Sequence, residues 1–395
     1  MSAAPPEHTS ATPPLPPPEA NAHCARVIAR LAHEIAEEDG WISFAQYMEQ
    51  VMYAPGLGYY AAGWQKFGGA GDFVTAPELT PLFGRTVARQ LAQVLKLVPD
   101  GEILELGPGS GRLAGDIMKA MAEHGAPPSP YCLLEVSAEL RERQRAHLTK
   151  AAPEAVARIE WIDILPERWS GVVFANEVLD SVPPHLVLRR DGEWYERGVT
   201  LASGGRLVFA DRLLGRGALR DAAQARFPPE VDYLSEFNPA AEALLRTFAQ
   251  RCERGAMLFV DYGFPAAEYY HPQRSAGTLM AHYRHRAIDD PFFLPGLADL
   301  TAHVDFSAMA RAGVAGGMQL AGYTTQARFL VNCGLLQELE RCGDPQSFDY
   351  LREAGAVQKL TSPAEMGELF KVLALVRGIE PDLIGFRDGD QSHRL

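Results

Sequence analysis

Cysteine is scarce in this chain of 395 residues. Cys24, Cys132, Cys252, Cys333 and Cys342 are its five cysteines, and no two form a Cys-x-x-Cys pair. So dispersed an odd set reads as reduced thiols and excludes a thiolate zinc cage. Basic charge is also in deficit: 37 Lys and Arg stand against 50 Asp and Glu, for a net charge of −13. With no basic stripe to offset that balance, a nucleic-acid backbone is excluded as the main partner. No apolar run approaches the roughly 20 residues of a membrane-spanning helix. Residues 1–21 hold neither Lys nor Arg and are rich in Pro and Ala. They lack the basic start of a secretory signal and the arginines of an organelle transit peptide, and read as a flexible tail. The compartment expected from all this is the cytoplasm. A 47% hydrophobic and 22% charged composition is that of a globular protein, long enough for one enlarged domain with insertions.

The most telling stretch is Glu102-Ile103-Leu104-Glu105-Leu106-Gly107-Pro108-Gly109-Ser110-Gly111. A short apolar run ends in a glycine-dense turn, and a helical pattern follows at once. Glycines at alternate positions let the backbone turn sharply and let a ligand approach without Cβ interference. The next apolar run, Tyr131 to Leu134, ends in Glu135, an acid placed to hydrogen-bond a ribose hydroxyl pair. A dinucleotide fingerprint would put its last glycine where Arg112 stands, which disfavours a nicotinamide dehydrogenase. Glu105 and Pro108 instead resemble the first motif of S-adenosylmethionine-dependent methyltransferases. There the amides of the loop and the helix start would meet a carboxylate rather than phosphates. A plain structural turn between strand and helix remains the other reading of the loop alone.

Hydrophobic periodicity orders the rest. Residues 1–22 form the tail, and 23–100 a mainly helical region. Helices are expected from Cys24 to Glu38, after Ser43, and from a capping box at Thr75-Ala76-Pro77-Glu78 onward through Val94. The first part of the core, 101–180, carries strands at Ile103–Leu106, Tyr131–Val136, Ile159–Ile162 and Gly171–Ala175. A hairpin and helical insertion occupies 181–250, with strands His185–Arg190 and Glu193–Val199 joined by the tight turn Asp191-Gly192. The fifth strand falls within 251–263, a second insertion spans 264–317, and 318–378 completes the core. Residues 379–395 read as a C-terminal tail. Near-continuous apolar strands alternating with helical patterns predict an α/β fold, with a mostly parallel, seven-stranded Rossmann-like sheet, helices on both faces, and insertions after strands four and five.

Ligands of such sheets sit beyond the carboxyl ends of the strands. After the third strand, Asp163 could hydrogen-bond an adenine amino group or simply cap a turn. After the fourth come Asn176-Glu177-Val178-Leu179-Asp180. An Asn-Glu pair is poor structural material there. In a helical turn Glu177 and Asp180 would share a face toward the cleft and orient a cationic nucleophile; otherwise Asp180 caps a helix. His185, His271, His282, His285 and His303 match no metal motif, so no metal is expected. Tyr269, Tyr270 and Tyr283 could line a groove or form the insertion's own small core.

Over about residues 40–378 the chain resembles the MidA family of Rossmann-like methyltransferases, which includes a mitochondrial complex I assembly factor that methylates a protein arginine. The resemblance rests on Gly71-Asp72-Phe73-Val74-Thr75-Ala76-Pro77-Glu78, the Glu105–Gly111 loop, Glu135-Val136-Ser137, Asn176 to Pro183, Asp261-Tyr262-Gly263 and Ala298 to Phe306. It implies S-adenosyl-L-methionine as cofactor, held by Gly107, Gly109, Gly111 and Glu135 with a site near Asn176 to Asp180, and Asp72, Phe73 and Thr75 closing over it from the helical N-terminal part; Pro108 in the loop and Asp163 after the third strand join the cofactor residues by position. It implies catalysis by Asn176, Glu177 and Asp180 on an accessible protein arginine, such as one of a respiratory complex subunit, by a chain that could pair as a homodimer. The alternative is an assembly or scaffold protein that binds cofactor but transfers nothing.

Overall fold

The computed structural model describes residues 18–62, 75–123, 130–229 and 231–395. Its central sheet carries strands β1 (Glu102–Leu106), β2 (Tyr131–Leu134), β3 (Ile159–Ile162), β4 (Trp169–Asn176), β5 (Cys252–Phe264), β6 (Gln319–Thr325) and β7 (Phe370–Arg377). Their spatial order is β3-β2-β1-β4-β5-β7-β6. β1 to β5 pair in parallel, β7 runs antiparallel to both neighbours, and Val304–Asp305 adds a short parallel strand beside the end of β5. The order reverses between β1 and β4, and that switch point opens a crevice at the carboxyl ends.

Period-two alternation explains why the sheet is covered on both sides. Ile103, Val172, Phe174, Leu258, Val260, Val372 and Ala374 point into one apolar cluster. Leu104, Leu106, Val173, Ala175, Met257, Phe259, Leu373 and Leu375 point into the other. Helices Pro81–Leu97 and Arg112–Glu123 supply Val87, Leu91, Ile117 and Met121 to the first face. Helices Pro239–Arg251 and Phe306–Ala315 supply Leu245, Phe248, Phe306 and Met309 to the second.

The N-terminal region and both insertions, consecutive units by sequence, are one lobe in space. Ile42 and Ser43 pair with Val199 and Gly198 of the hairpin. Val27, Leu31, Tyr47 and Met48 share a core with Leu186, Val199, Tyr283 and Leu300. The Asp191-Gly192 turn forms as expected, both residues having positive φ (52° and 79°), as a two-residue hairpin turn that follows the strand twist requires. Tyr269 and Tyr270 pack with Trp194, Phe227 and Phe237, so they form the insertion's core rather than a groove.

Three boundaries are corrected. The first helix begins at Pro18, because proline suits a first turn whose N–H groups need no partner; only residues 1–17 of the expected tail lie outside the described residues. The expected single helix from Thr75 is two, Ala76–Leu79 and Pro81–Leu97, and Thr75 makes no side-chain cap. Pro81 drives Thr80 into extended backbone (φ −158°, ψ 143°), and Thr80 caps the second helix through Leu82 N–H. The C-terminal residues are no loose tail: Leu383 and Phe386 are buried against the first cluster.

Candidate active site

A cavity of about 670 Å³ opens at the switch point. Its floor is the loop after β1. Gly107 and Gly109 hold positive φ (60° and 52°), a conformation that disfavours any Cβ, and at Gly107 a Cβ would lie 2.8 Å from Val178 Cγ2. The loop closes through Gly111 N–H donating to Pro108 O at 2.8 Å, and helix Arg112–Glu123 starts there, with Ser110 and Leu113 lining the cavity. Gln144 braces the loop to the β2 acid: its Nε2 donates to Gly109 O (3.0 Å) and to Glu135 Oε2 (3.1 Å). Glu135 also accepts from Ser137 N–H at 2.8 Å. Arg112, the residue that spoils a dinucleotide fingerprint, reaches away to Glu78 O and its carboxylate.

The loop after β4 forms the opposite wall. Glu177 is a non-glycine residue at φ 53°, a left-handed conformation costing about 1–2 kcal/mol that the surroundings must impose. Its N–H remains tied to Val260 O at 2.9 Å. Asn176 Nδ2 donates to Glu177 Oε1 at 2.9 Å, while Asn176 Oδ1 is buried without a donor. Burial, then the neighbouring Asp180, push the Glu177 carboxyl up to about 8, against hydrogen bonds from Asn176 and Ala76 N–H. Burial also lifts Glu105 to about 7, opposed by the Tyr131 hydroxyl donating to it at 2.7 Å.

Of the residues expected at the site, Thr75, Gly107, Pro108, Gly109, Glu135, Asn176 and Glu177 line this cavity. Asp72 and Phe73 lie outside the described residues. Three are placed elsewhere. Gly111 packs under the loop against Gln144 and Leu148. Asp163 is 65% exposed and ion-paired with Arg141 at 3.4 Å; it follows the edge strand β3 and is not among the lining residues. Asp180 is buried beneath the wall, because residues 177–182 form bends and a turn rather than a helix, so the two acids do not share a face. Burial raises Asp180, opposed by hydrogen bonds from Tyr262 and backbone N–H groups.

Sequence reasoning missed the second lobe's contribution. Tyr53 and Tyr60 line the cavity, their rings 5.5 Å apart and near-parallel. Tyr53 donates to Ser181 O at 2.8 Å, and Tyr60 to Asp299 at 3.4 Å. The aromatic density of their glycine-rich segment was the available signal. His185 pairs with Glu196 at 2.6 Å. Among the described residues no cluster of His, Cys, Asp or Glu is arranged for a metal, and no helix is long and apolar enough to cross a membrane.

A strained glycine loop ahead of a helix N-terminus, a braced acid at the end of β2, an orphaned amide oxygen and a crevice at the switch point fit an amino-acid-bearing nucleoside. Fold and site together define the class of S-adenosyl-L-methionine-dependent methyltransferases. The family model of that description matches residues 86–324, and the chain belongs to the MidA family within it. A solved COG1565 superfamily member from Burkholderia thailandensis, bound to S-adenosyl-homocysteine, superposes with a TM-score of 0.93 at 50% identity, covering 97% of this chain and 100% of its own. Curated relatives include "Protein arginine methyltransferase NDUFAF7 homolog, mitochondrial" of Drosophila melanogaster, 28% identical over 93% of this chain and 89% of its own length. The rat protein arginine methyltransferase NDUFAF7 is 29% identical over 91% and 86%. These relatives are named mitochondrial, which overturns the cytoplasmic expectation. Free cysteines and an acidic balance suit any reducing compartment, so composition had no means of separating the two.

Proposed function

We propose that the chain transfers a methyl group from S-adenosyl-L-methionine to the guanidinium of a protein arginine. One observation carries the choice of acceptor. Glu78, Glu105, Glu135, Glu139 and Glu177 line the cavity, and no Arg, Lys or His among the described residues does so. A low-dielectric site that sets carboxyls and no basic side chain around its ligand favours cations over neutral or anionic acceptors. The names of the relatives agree with this reading.

Glu135 would hold the ribose hydroxyls, while the amides at Gly107, Gly109 and the following helix start meet the carboxylate. Asn176 Oδ1 would accept the donor it now lacks, and Thr75 would cover the site. When bound, the cofactor supplies a methyl group on a positively charged sulfonium. Glu177, ionised by the arrival of cationic partners, orients a guanidinium N–H and takes up the proton released as the new N–C bond forms. A carboxyl poised near 8 suits that exchange at neutral pH. Asp180, one layer deeper, adds negative potential without touching the acceptor. A guanidinium pKa above roughly 12 makes such help necessary.

Labelled methyl transfer from the cofactor into a cell lysate, followed by acid hydrolysis, tests the proposal. Label in methylarginine is the expected result. Label confined to methyl-lysine, nucleic acid or small molecules would refute the arginine reading and leave the methyltransferase assignment standing.

A further inference from the structure

Glu177 stands in a conformation its own chemistry disfavours, so another residue must keep it there. The candidate lies 84 positions later, at the end of β5. Asp261 is 1% exposed, and its Oδ2 accepts the consecutive backbone N–H groups of Val178, Leu179 and Asp180 at 3.1, 2.9 and 3.3 Å. Its Oδ1 accepts Tyr262 N–H at 2.9 Å. These three N–H groups follow Glu177 directly, so one buried carboxylate fixes the path of the wall immediately after the strained residue. Other ties to this turn each reach a single residue: Ser181 Oγ donates to Val178 O at 3.0 Å and Ala302 N–H to Asp180 O at 2.9 Å.

We propose that Asp261 is a positioning residue for methyl transfer: by gathering those three N–H groups it clamps the 178–180 turn and holds Glu177 against the cavity. The inference rests on the reading of Glu177 as the acceptor-binding group. Asp261 does not line the cavity and acts only through the turn. An aspartate suits the task because a neutral amide cannot accept on both sides; in Asp261→Asn one amide hydrogen pair must face a backbone donor. A second consequence is electrostatic. Asp261 is a third acid beside half-buried Glu177 and buried Asp180; burial, then the neighbouring Asp180 and Glu177, hold its carboxyl well above the usual range, so the ionisation of each acid opposes that of the others. The other groups facing the cluster are Tyr262, which bonds Asp180, and Tyr53, Tyr60 and Asp299 from the second lobe. Lys371 pairs with Asp261 in the strand register of β7.

Asp261→Asn and Asp261→Ala, made in the full chain, test the clamp. In Asp261→Asn, S-adenosyl-homocysteine affinity by calorimetry should stay within about threefold. The kcat for arginine methylation should fall by roughly ten- to a hundredfold, the scale of a slightly misplaced reacting group, with KM for the cofactor little changed. The acidic limb of its pH profile should move to lower pH, because a second acid whose ionisation opposes that of Glu177 is gone; a merely structural aspartate would leave that limb in place. Crystal structures should show Glu177 displaced from its left-handed conformation, further in Asp261→Ala than in Asp261→Asn. Unchanged kcat with an unmoved limb, or cofactor affinity lost in step with kcat, would overturn the proposal. Should the wild-type enzyme methylate no arginine, the acceptor reading fails by itself and the crystal structures decide: Glu177 unmoved in both variants would refute the clamp, and Glu177 displaced would support it.

Discussion

Replacing Glu177 by glutamine should make the protein more stable and less active, by amounts the structure sets. The carboxyl titrates near 8 in the folded chain against an ordinary 4.5, so folding favours its protonated form. The sign follows directly: the native state binds the extra proton between those values, and stability falls as pH rises from about 4.5 to 8. Each unit of that difference is worth 1.36 kcal/mol, which at pH 7 amounts to about 3 kcal/mol of destabilisation and at pH 5 to about 1 kcal/mol. The amide of Glu177→Gln would carry no charge, fill the same volume and still accept from Asn176 Nδ2, so the substitution removes the penalty and little else. For a chain of this length unfolding as one unit, an entropy of about 2 cal/mol/K per residue converts the pH 7 gain into roughly 4 °C of Tm, shrinking to about 1 °C at pH 5. Methyl transfer should fall about a hundredfold, the scale for one preorganised electrostatic group, while cofactor binding survives. Thermal scans of both proteins from pH 5 to 8, beside transfer assays, decide it. A variant whose Tm equals or lies below that of the parent at every pH would refute the reading of Glu177 as a desolvated, penalised acid.

Glu135→Ala should weaken S-adenosyl-homocysteine binding at least about tenfold by calorimetry, since it removes charge-assisted bonds of roughly 1.5–3 kcal/mol each, with the circular dichroism unchanged. Gly107→Ala should lower both Tm and cofactor affinity, because its Cβ would meet Val178 Cγ2 at 2.8 Å and its φ is 60°; equal affinity would mean the loop has room the geometry denies. Asp163→Asn should leave cofactor affinity within about twofold by the same calorimetry, its ion pair with Arg141 being exposed and worth about 1 kcal/mol or less. The kcat/KM of the parent enzyme should rise from pH 6 to 9 with an apparent pKa near 8, the value of Glu177; a flat profile would remove Glu177 from the proton transfer.

The fold was legible where one period decided the outcome. Apolar strands ending in turn residues gave the right strands in β1 to β5, because a sheet buried on both faces tolerates little else. Asp191-Gly192 announced its hairpin because few other residues accept two successive positive φ values. What sequence order concealed was the second lobe. Ile42 and Ser43 meet Gly198 and Val199 across more than 150 residues, and no local pattern encodes which edge a two-residue strand will join. The break at Thr80 was written in Pro81 and outweighed by the apolar stripe running through it.

The site divides by the same rule. Gly107, Gly109 and Glu135 were readable because backbone freedom and a strand-end acid are local requirements of one turn. Asn176 and Glu177 were readable as polar groups that a buried strand end would otherwise reject. The pairing of Glu177 with Asp180 on one helical face was wrong because spacing alone was used. Three residues apart implies a shared face only if the chain is helical, and Asp261 draws the intervening N–H groups out of helical bonding and onto itself. The Asp-Tyr-Gly segment carried that information, but its effect lies on a loop more than 80 residues earlier. The division of labour that results, with Glu177 in the cavity and Asp180 and Asp261 behind it, keeps one carboxyl near neutrality without exposing three negative charges to each other. On the proposed mechanism, two cations entering the cavity would ionise Glu177 when transfer requires it, and their departure would let the proton return.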